Sequence, residues 1–390
     1  MKKKIVILGS TGSIGKTTFD IIKNNRKDFE IVLLTTNKNT TTILKQAKLL
    51  KIKNILISDK SKYLNLKTRL KNNKIKIHNN LDRLGDIIKK KVDYTMCAIS
   101  GLSGLKSTID SIKLSKTIAI ANKESIICGW HIIEKALRKN KTNFIPIDSE
   151  HFSIWSLIKH ENKKNIKKIY LTASGGPFLN KKNSQLFNIE PKHALKHPNW
   201  KMGKKISIDS ATLMNKIFEL IEAKKIFNLD INKFKIIIHP KSYVHAIVHF
   251  NNGLVKFLAH DTNMSIPIMN SLYENKVFNY NDKSLNILKL NNLNFSKPNK
   301  KKFPVIKLIN MLPKKNTYFE TILITINDYL VGKYLNGEIN YNSLNFGLIK
   351  LIKNRYFTRY YKFAPKNITD VKIMVKRVTT YLNKIKLNEY

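Results

Sequence analysis

Only two cysteines, 14 glycines, 10 prolines and seven arginines occur among 390 residues. Cys97 and Cys128 are too few for a disulfide framework and have no metal-ligand spacing, so they are expected to be structural thiols in a reducing compartment. No stretch approaches the roughly 18 apolar residues that a membrane helix needs. The apolar run at 5–8, behind Lys2, Lys3 and Lys4, stops at Gly9 and is too short for a secretory h-region. A cytoplasmic protein is expected.

Acidic residues are also few: 26 Asp and Glu stand against 72 Lys and Arg, giving a formal charge of +46. Such a charge would suit a polyanionic partner. The cations, however, are overwhelmingly lysine and are scattered from Lys2 to Lys386. Arginine, whose planar fork reads phosphates and base edges bidentately, is scarce. Asn and Ile are abundant alongside Lys, and the three share A- and T-rich codons. Codon drift on tolerant surface accounts for the charge, and neither a nucleic-acid nor a membrane partner is expected. A positive field still favours phosphorylated small molecules.

The remaining composition, 42% hydrophobic and 25% charged, is that of a globular protein, and the length implies two or three domains. Residues 1–150 alternate short β-branched runs (5–8, 31–34, 55–57, 94–99, 117–121, 144–147) with helical spacing, which predicts a parallel sheet with crossover helices. Residues 151–272 read as an α+β segment, with strands at 169–172, 205–208, 234–238, 244–250 and 254–258 and a helix at 211–227. The Asn- and Lys-rich stretch 273–303 reads as a linker, and 304–390 as a small helical domain. The fold class expected is therefore α/β, with a central α+β catalytic domain and a helical C-terminal domain.

Gly9, Gly12 and Gly15 follow the first strand and open a helix. Glycines there let the backbone approach a pyrophosphate, and the helix N-terminus offers free N–H groups and a positive dipole end. The G-x-x-G-x-x-G spacing is a relative of the dinucleotide fingerprint, so the sheet reads as Rossmann-like. The second strand ends Thr35-Thr36 and continues Asn37-Lys38-Asn39, without the acid that NAD sites use for a ribose hydroxyl. Lys38 would attract a 2′-phosphate, favouring NADP, although it also reads simply as one more surface lysine.

Asp148, Ser149, Glu150 and His151 follow an apolar run; continued strand geometry would put both acids on one face and His151 on the other. Asn215 and Glu219 are four apart on the predicted helix. Three carboxylates without a thiol favour a hard cation, Mg²⁺ or Mn²⁺, although paired acids are more often solvated surface. Ser174-Gly175-Gly176 closes a strand, and Ser210 precedes the helix carrying Asn215 and Lys216; both places suit an anion. Ser210 reads equally as an ordinary N-cap. Trp200, in the polar segment between them, is either core or a lid.

Taken together, GSTGSIG at 9–15, ANKES at 121–125, DSEH at 148–151, SGGPF at 174–178, HPNWKMGKKISIDSAT at 197–212, MNK at 214–216 and IHPKSYVH at 238–245 resemble the 1-deoxy-D-xylulose 5-phosphate reductoisomerase family. The likeness runs to about residue 260. It implies an NADPH-dependent, divalent-metal-requiring enzyme. Its reaction is a retro-aldol cleavage and aldol recombination of 1-deoxy-D-xylulose 5-phosphate, then reduction to 2-C-methyl-D-erythritol 4-phosphate for isoprenoid precursors. By motif match, Asp148, Glu150 and Glu219 hold the metal, and these acids with Lys123 and His197 form the catalytic set. Ser174, Ser210, Asn215 and Lys216 bind the substrate's phosphate and hydroxyls, and Lys123 and Ser149 lie against its reacting carbons. His197, Trp200 and Met202 form a lid. Thr11, Gly12, Ser13, Ile14, Asn37, Lys38, Asn39, Asn122, Glu124 and Gly203 contact NADPH, which assigns residues 1–150 to the cofactor. His245 lies near the site without an assigned role. A homodimer formed through the middle sheet is expected.

Some positions depart from the family pattern: Asn37 where Gly is frequent, Thr262-Asn263-Met264-Ser265 before a Pro-Ile pair, and Thr325-Ile326-Asn327-Asp328 in the helical domain. None is a metal, phosphate or lid position. A semialdehyde dehydrogenase would also use such a glycine turn, but it needs a nucleophilic Cys, and neither Cys97 nor Cys128 has that context.

Overall fold

The structure, a computed structural model, describes every residue except 70–73, 188, 201, 275, 281–286 and 386–390, so part of the expected linker lies outside the described residues. Two compact units are present. One comprises Met1–Ile126, Trp130–Phe152 and Met264–Asn279; the other comprises Ile127–Gly129, Ser153–Asn263 and Tyr280–Tyr390.

The first unit is built on seven parallel strands: β1 (Lys3–Leu8), β2 (Phe29–Thr36), β3 (Asn54–Ile57), β4 (Lys76–His78), β5 (Val92–Cys97), β6 (Ser115–Ile120) and β7 (Asn143–Pro146). Their order is β4-β3-β2-β1-β5-β6-β7. Ile5, Val6, Ile7 and Leu8 are all fully buried, as a strand covered on both faces requires, and this is why the strand reads as an unbroken apolar run. Strand order reverses between β1 and β5, which opens a crevice beyond their carboxyl ends. The segment Met264–Asn279 packs on this unit, where Tyr94 and Ser271 share a buried 2.7 Å hydroxyl–hydroxyl bond.

The second unit carries β8 (Ile166–Ala173), β9 (Phe234–Ile238), β10 (Val244–Phe250) and β11 (Val255–Ala259), in the order β11-β10-β8-β9. Only β8 and β9 are parallel. The helix Met214–Phe227 packs on β8 and β9, and Lys204–Ala211 packs on that helix; the C-terminal part is helical over Phe319–Leu335, Tyr341–Ile352 and Ile368–Leu382. The α/β class with a helical C-terminal region is thus realised.

Three local expectations are corrected. Residues 205–208 are not a strand; they lie in the helix Lys204–Ala211, where Ser207, Ile208, Asp209 and Ala211 are buried. The alternating Lys-Ile-Ser-Ile pattern fits either period over so short a run, and packing decides for the helix. Asp148 and Glu150 do not continue a strand, because β7 ends at Pro146 and a helix begins at Ser149. His151 is accordingly not on the face opposite Asp148; its Nδ1 lies 3.5 Å from the Asp148 carboxylate.

Candidate active site

In the first unit the glycine turn is held rigidly against β2. Gly9 takes φ +83°, and a Cβ there would fall 2.7 Å from the Ala98 carbonyl oxygen. At Gly15 a Cβ would lie 2.2 Å from the Gly9 oxygen, so no other residue fits the first helical turn. The Gly9 N–H donates to Thr35 Oγ1 at 2.8 Å, and the Ser10 N–H donates to the Thr35 carbonyl at 2.9 Å. Thr11 and Thr36 share a 2.7 Å hydroxyl contact. Buried Gln46 accepts from Ser10 Oγ and donates to the Ser10 carbonyl, both at 2.9 Å. Gly12 caps the helix Ser13–Asn24 without any side-chain acceptor, leaving its first-turn amides to face an anion.

Beyond β2, Asn37 Oδ1 accepts from Ser58 Oγ at 3.1 Å, and Asn39 caps the helix Thr40–Leu49 through the Thr42 N–H. Lys38 is exposed, with its ammonium 4.0 Å from Asp59. Asn122 caps the helix Lys123–Asn140: Oδ1 accepts from the Ser125 N–H at 2.6 Å, and Nδ2 donates to the Ile99 and Gly101 carbonyls. Lys123 forms an ion pair with Asp148, and both side chains are largely shielded. Ser149 Oγ donates to Glu150 at 2.6 Å, and the Glu150 N–H points at Asp148 Oδ1 at 3.3 Å. Glu124 lies in the first turn of its helix.

In the second unit, β8 runs into Ser174, and the next two glycines take φ +82° and +67°. A Cβ on Gly176 would fall 2.9 Å from the Ser210 carbonyl, so this turn lies directly on the helix that carries Ser210. Ser174 Oγ accepts from the Gly176 N–H at 3.1 Å and meets His197 Nε2 at 3.0 Å. His197 Nδ1 accepts the N–H groups of Asn199 and Trp200, at 3.1 and 3.0 Å. Two donors on Nδ1 leave the proton on Nε2, which therefore donates to Ser174. Burial, and then the Lys216 ammonium, push the His197 pKa down to about 4. The ring is neutral at pH 7.

Lys216 and Glu219 form a buried ion pair at 2.5 Å, and Asn215 donates to the other Glu219 oxygen. Leu213, at φ +67°, makes the turn between the two helices. Gly203 starts the first of them, its carbonyl accepting from Ser207, while Met202 is half-buried. The Trp200 ring meets His245 edge-on at 6.1 Å, and His245 stacks on His260 at 3.8 Å.

Three family models cover most of the chain. They describe the 1-deoxy-D-xylulose 5-phosphate reductoisomerase at residues 5–129 and its C-terminal domains at 144–227 and 260–378. The reductoisomerase of Pelagibacter ubique is 54% identical over 371 residues, spanning 95% of this chain and 96% of that protein. The chain belongs to the 1-deoxy-D-xylulose 5-phosphate reductoisomerase family. The Zymomonas mobilis member is 34% identical over 95% of the chain. A solved structure of the Zymomonas mobilis reductoisomerase in complex with NADPH matches 99% of the chain at a TM-score of 0.89 and 30% identity. A family structure in complex with NADPH, fosmidomycin and magnesium matches 98% at a TM-score of 0.90 and 30% identity. The family match reaches residue 378, well beyond the stretch where motifs alone were legible. Gln46 meets Ser10 of the glycine turn, Asp59 meets Lys38 and His260 meets His245; none of the three was expected, because each is distant in sequence from its partner and no local pattern marks it.

Proposed function

We propose that this chain converts 1-deoxy-D-xylulose 5-phosphate to 2-C-methyl-D-erythritol 4-phosphate with NADPH, in non-mevalonate isoprenoid precursor synthesis. The observation that carries this reading is 54% identity along 95% of the chain to an enzyme of that name. The glycine turn on the β1–β5 crevice supports it independently, since its uncapped helix end suits the NADPH pyrophosphate.

In this reading Thr11, Gly12, Ser13, Ile14, Asn37, Lys38, Asn39, Asn122, Glu124 and Gly203 contact NADPH, with Lys38 beside the 2′-phosphate. Asp148, Glu150 and Glu219 hold Mg²⁺ or Mn²⁺. Asp148 and Glu150 are half-buried and Glu219 is buried. An all-oxygen donor set fits a hard cation. When bound, the cation supplies Lewis-acid polarisation of the substrate's carbonyl and hydroxyl oxygens, and NADPH supplies the hydride.

The remaining work falls to the protein. Ser174, Ser210, Asn215 and Lys216 anchor the phosphate and hydroxyls, which fixes the carbon skeleton for cleavage and recombination. Lys123, oriented by Asp148, and Ser149 lie against the reacting carbons. Neutral His197 donates a hydrogen bond from Nε2, and with Trp200 and Met202 it closes the site against water, which would otherwise quench a carbanionic intermediate. Fosmidomycin, bound in a family structure, is expected to inhibit.

A homodimer is part of this reading. Edge strand β11 exposes Val255 and Phe257, residues that a second copy would cover. The cytoplasm is the proposed location; no described helix is long and apolar enough to cross a membrane. Purified protein should consume NADPH only when the deoxyxylulose phosphate and Mg²⁺ or Mn²⁺ are both present, and should stop with chelator. Consumption that ignores the sugar phosphate or the chelator would overturn the assignment.

A further inference from the structure

The Asn199 side chain ties the loop that carries His197 and Trp200 to a neighbouring turn. The loop joins the helices Pro191–Ala194 and Lys204–Ala211 and has no regular structure of its own at 197–200. The Asn199 carboxamide donates from Nδ2 to the Pro240 carbonyl at 2.6 Å and to Ser242 Oγ at 3.0 Å. Both acceptors lie in the turn between β9 and β10. That turn is itself fixed: the Ser242 N–H donates to the His239 carbonyl at 3.0 Å, and the His239 N–H donates to the Ala173 carbonyl at 2.7 Å. Ala173 precedes Ser174, the residue that receives the His197 Nε2 proton. On the other side, the Asn199 N–H is held by His197 Nδ1. The contacts form a closed circuit from Ser174 through His197, Asn199, the 239–242 turn and Ala173 back to Ser174.

We propose that Asn199 is the positioning residue of this circuit, a latch that holds His197 and Trp200 in place for substrate. The chemistry needs an amide: an NH₂ group offers two donors for two acceptors, a hydroxyl offers one, and an ionised carboxylate none. Ser242 reaches the latch only in a left-handed conformation, φ +50°, a placement that a side chain of its type rarely adopts and that surrounding contacts must hold. Preordering the loop raises the fraction of enzyme ready to bind. Losing the latch therefore weakens apparent substrate affinity without touching the chemical step.

That kinetic consequence rests on the proposed reaction and on the lid role of His197, Trp200 and Met202, so the test carries two readouts. The first is trypsin cleavage after exposed Lys196 in the intact, substrate-free protein, followed by mass spectrometry. Asn199→Asp and Asn199→Ala should speed this cut severalfold relative to cuts elsewhere. The second is steady-state kinetics with NADPH and Mg²⁺. Substrate KM should rise about fivefold to tenfold, as loss of one or two neutral hydrogen bonds implies, with kcat within about twofold and NADPH affinity unchanged. Ser242→Ala should give a smaller change, and the Asn199→Ala/Ser242→Ala pair should be no worse than Asn199→Ala alone, because both variants break one contact. An unchanged cleavage rate, additive losses, or an equal fall in NADPH affinity overturns the latch. If the wild type fails to turn over the sugar phosphate, the proposed reaction falls, while the cleavage rates still decide the latch.

Discussion

His197 gives its one ring proton to Ser174 Oγ at 3.0 Å while its other nitrogen accepts two backbone N–H groups. The arrangement suits only the neutral ring, since a protonated Nδ1 would face two donors. Burial and the nearby Lys216 act in the same direction and hold the pKa at about 4. Proton-detected NMR of the His197 ring should show one fixed tautomer, protonated on Nε2, from pH 5.5 to 8. The sign of the stability effect follows. A pKa lowered on folding means the unfolded chain binds the extra proton first. This contribution to stability is complete above the unfolded value near 6.5 and is lost as pH falls through 6 toward 4. His197→Gln should flatten that part of the stability–pH curve, and a titration of His197 near pH 6.5 would contradict the geometry.

Glu219 accepts from both Asn215 and Lys216 on its own helix, with only 1% of the residue exposed. Glu219→Gln preserves shape but removes the charge that a cation needs. Turnover should fall by on the order of a hundredfold or more, while NADPH affinity, read by cofactor fluorescence, stays within about twofold. The variant also neutralises the carboxylate that the buried Lys216 ammonium pairs with, so Tm should drop as well. Equal loss of cofactor binding and turnover would contradict the metal assignment.

Lys38 stands 4.0 Å from Asp59, and its side chain is 70% exposed, so the pair is loose and screened. Lys38→Ala should raise KM for NADPH by about tenfold, the loss expected for one charge-assisted contact, and leave KM for NADH nearly unchanged. Asp59→Asn removes the competing carboxylate but keeps a good cap for the following helix. It should tighten NADPH modestly, by less than about threefold at low salt and less still at high salt. Unchanged cofactor preference in Lys38→Ala would leave it a surface lysine.

What was legible in the chain depended on how many neighbours a residue needs to express its role. β1, β2, β3, β5 and β6 are buried on both faces, so their apolar runs stand out without knowledge of partners. β4 (Lys76–His78) is a short edge strand with half-exposed side chains and left no such trace. The helix Lys204–Ala211 was misread because Lys205–Ile208 alternates like a strand, and only burial of Asp209 and Ala211 reveals the helical face. Residue types alone left the metal and phosphate candidates beside a solvated-surface or N-cap reading, since an acid or serine by itself carries little information, and the motif resemblance decided between them. Asn199 was present in the HPNW motif, but its partners lie 41 and 43 residues away and no local spacing could have named them.

Asp209 illustrates a contact of the same kind with a measurable consequence. It is buried beside Ser210, and its Oδ1 accepts from buried Asn327 in the C-terminal helix Phe319–Leu335 at 2.8 Å. Tyr341 adds a 2.7 Å bond to the Ala211 carbonyl on the same short helix. Asn327→Leu deprives a buried carboxylate of a donor, at a cost of about 1–3 kcal/mol. Calorimetry should register a Tm several degrees lower. Because the helix presents Ser210, substrate KM should rise with it, whereas a Tm change with no KM change would separate this helix from phosphate binding.

The open face of the second sheet leads to the last prediction. Phe257, Ile247 and Tyr170 are paired in register across β11, β10 and β8, and Val255 lies two residues from Phe257 on the same side. Ile247 and Tyr170 are half-buried, while Val255 and Phe257 are exposed. An apolar row ending on an edge strand favours a symmetric partner, because each copy then covers the other's row. Light scattering coupled to gel filtration should give a dimer for the wild type. Val255→Lys/Phe257→Lys should shift the mass to that of one chain. It should also abolish the concentration dependence of Tm that a dimer imposes. A wild-type mass of one chain at micromolar concentration, or a double variant that stays dimeric, would place the interface elsewhere.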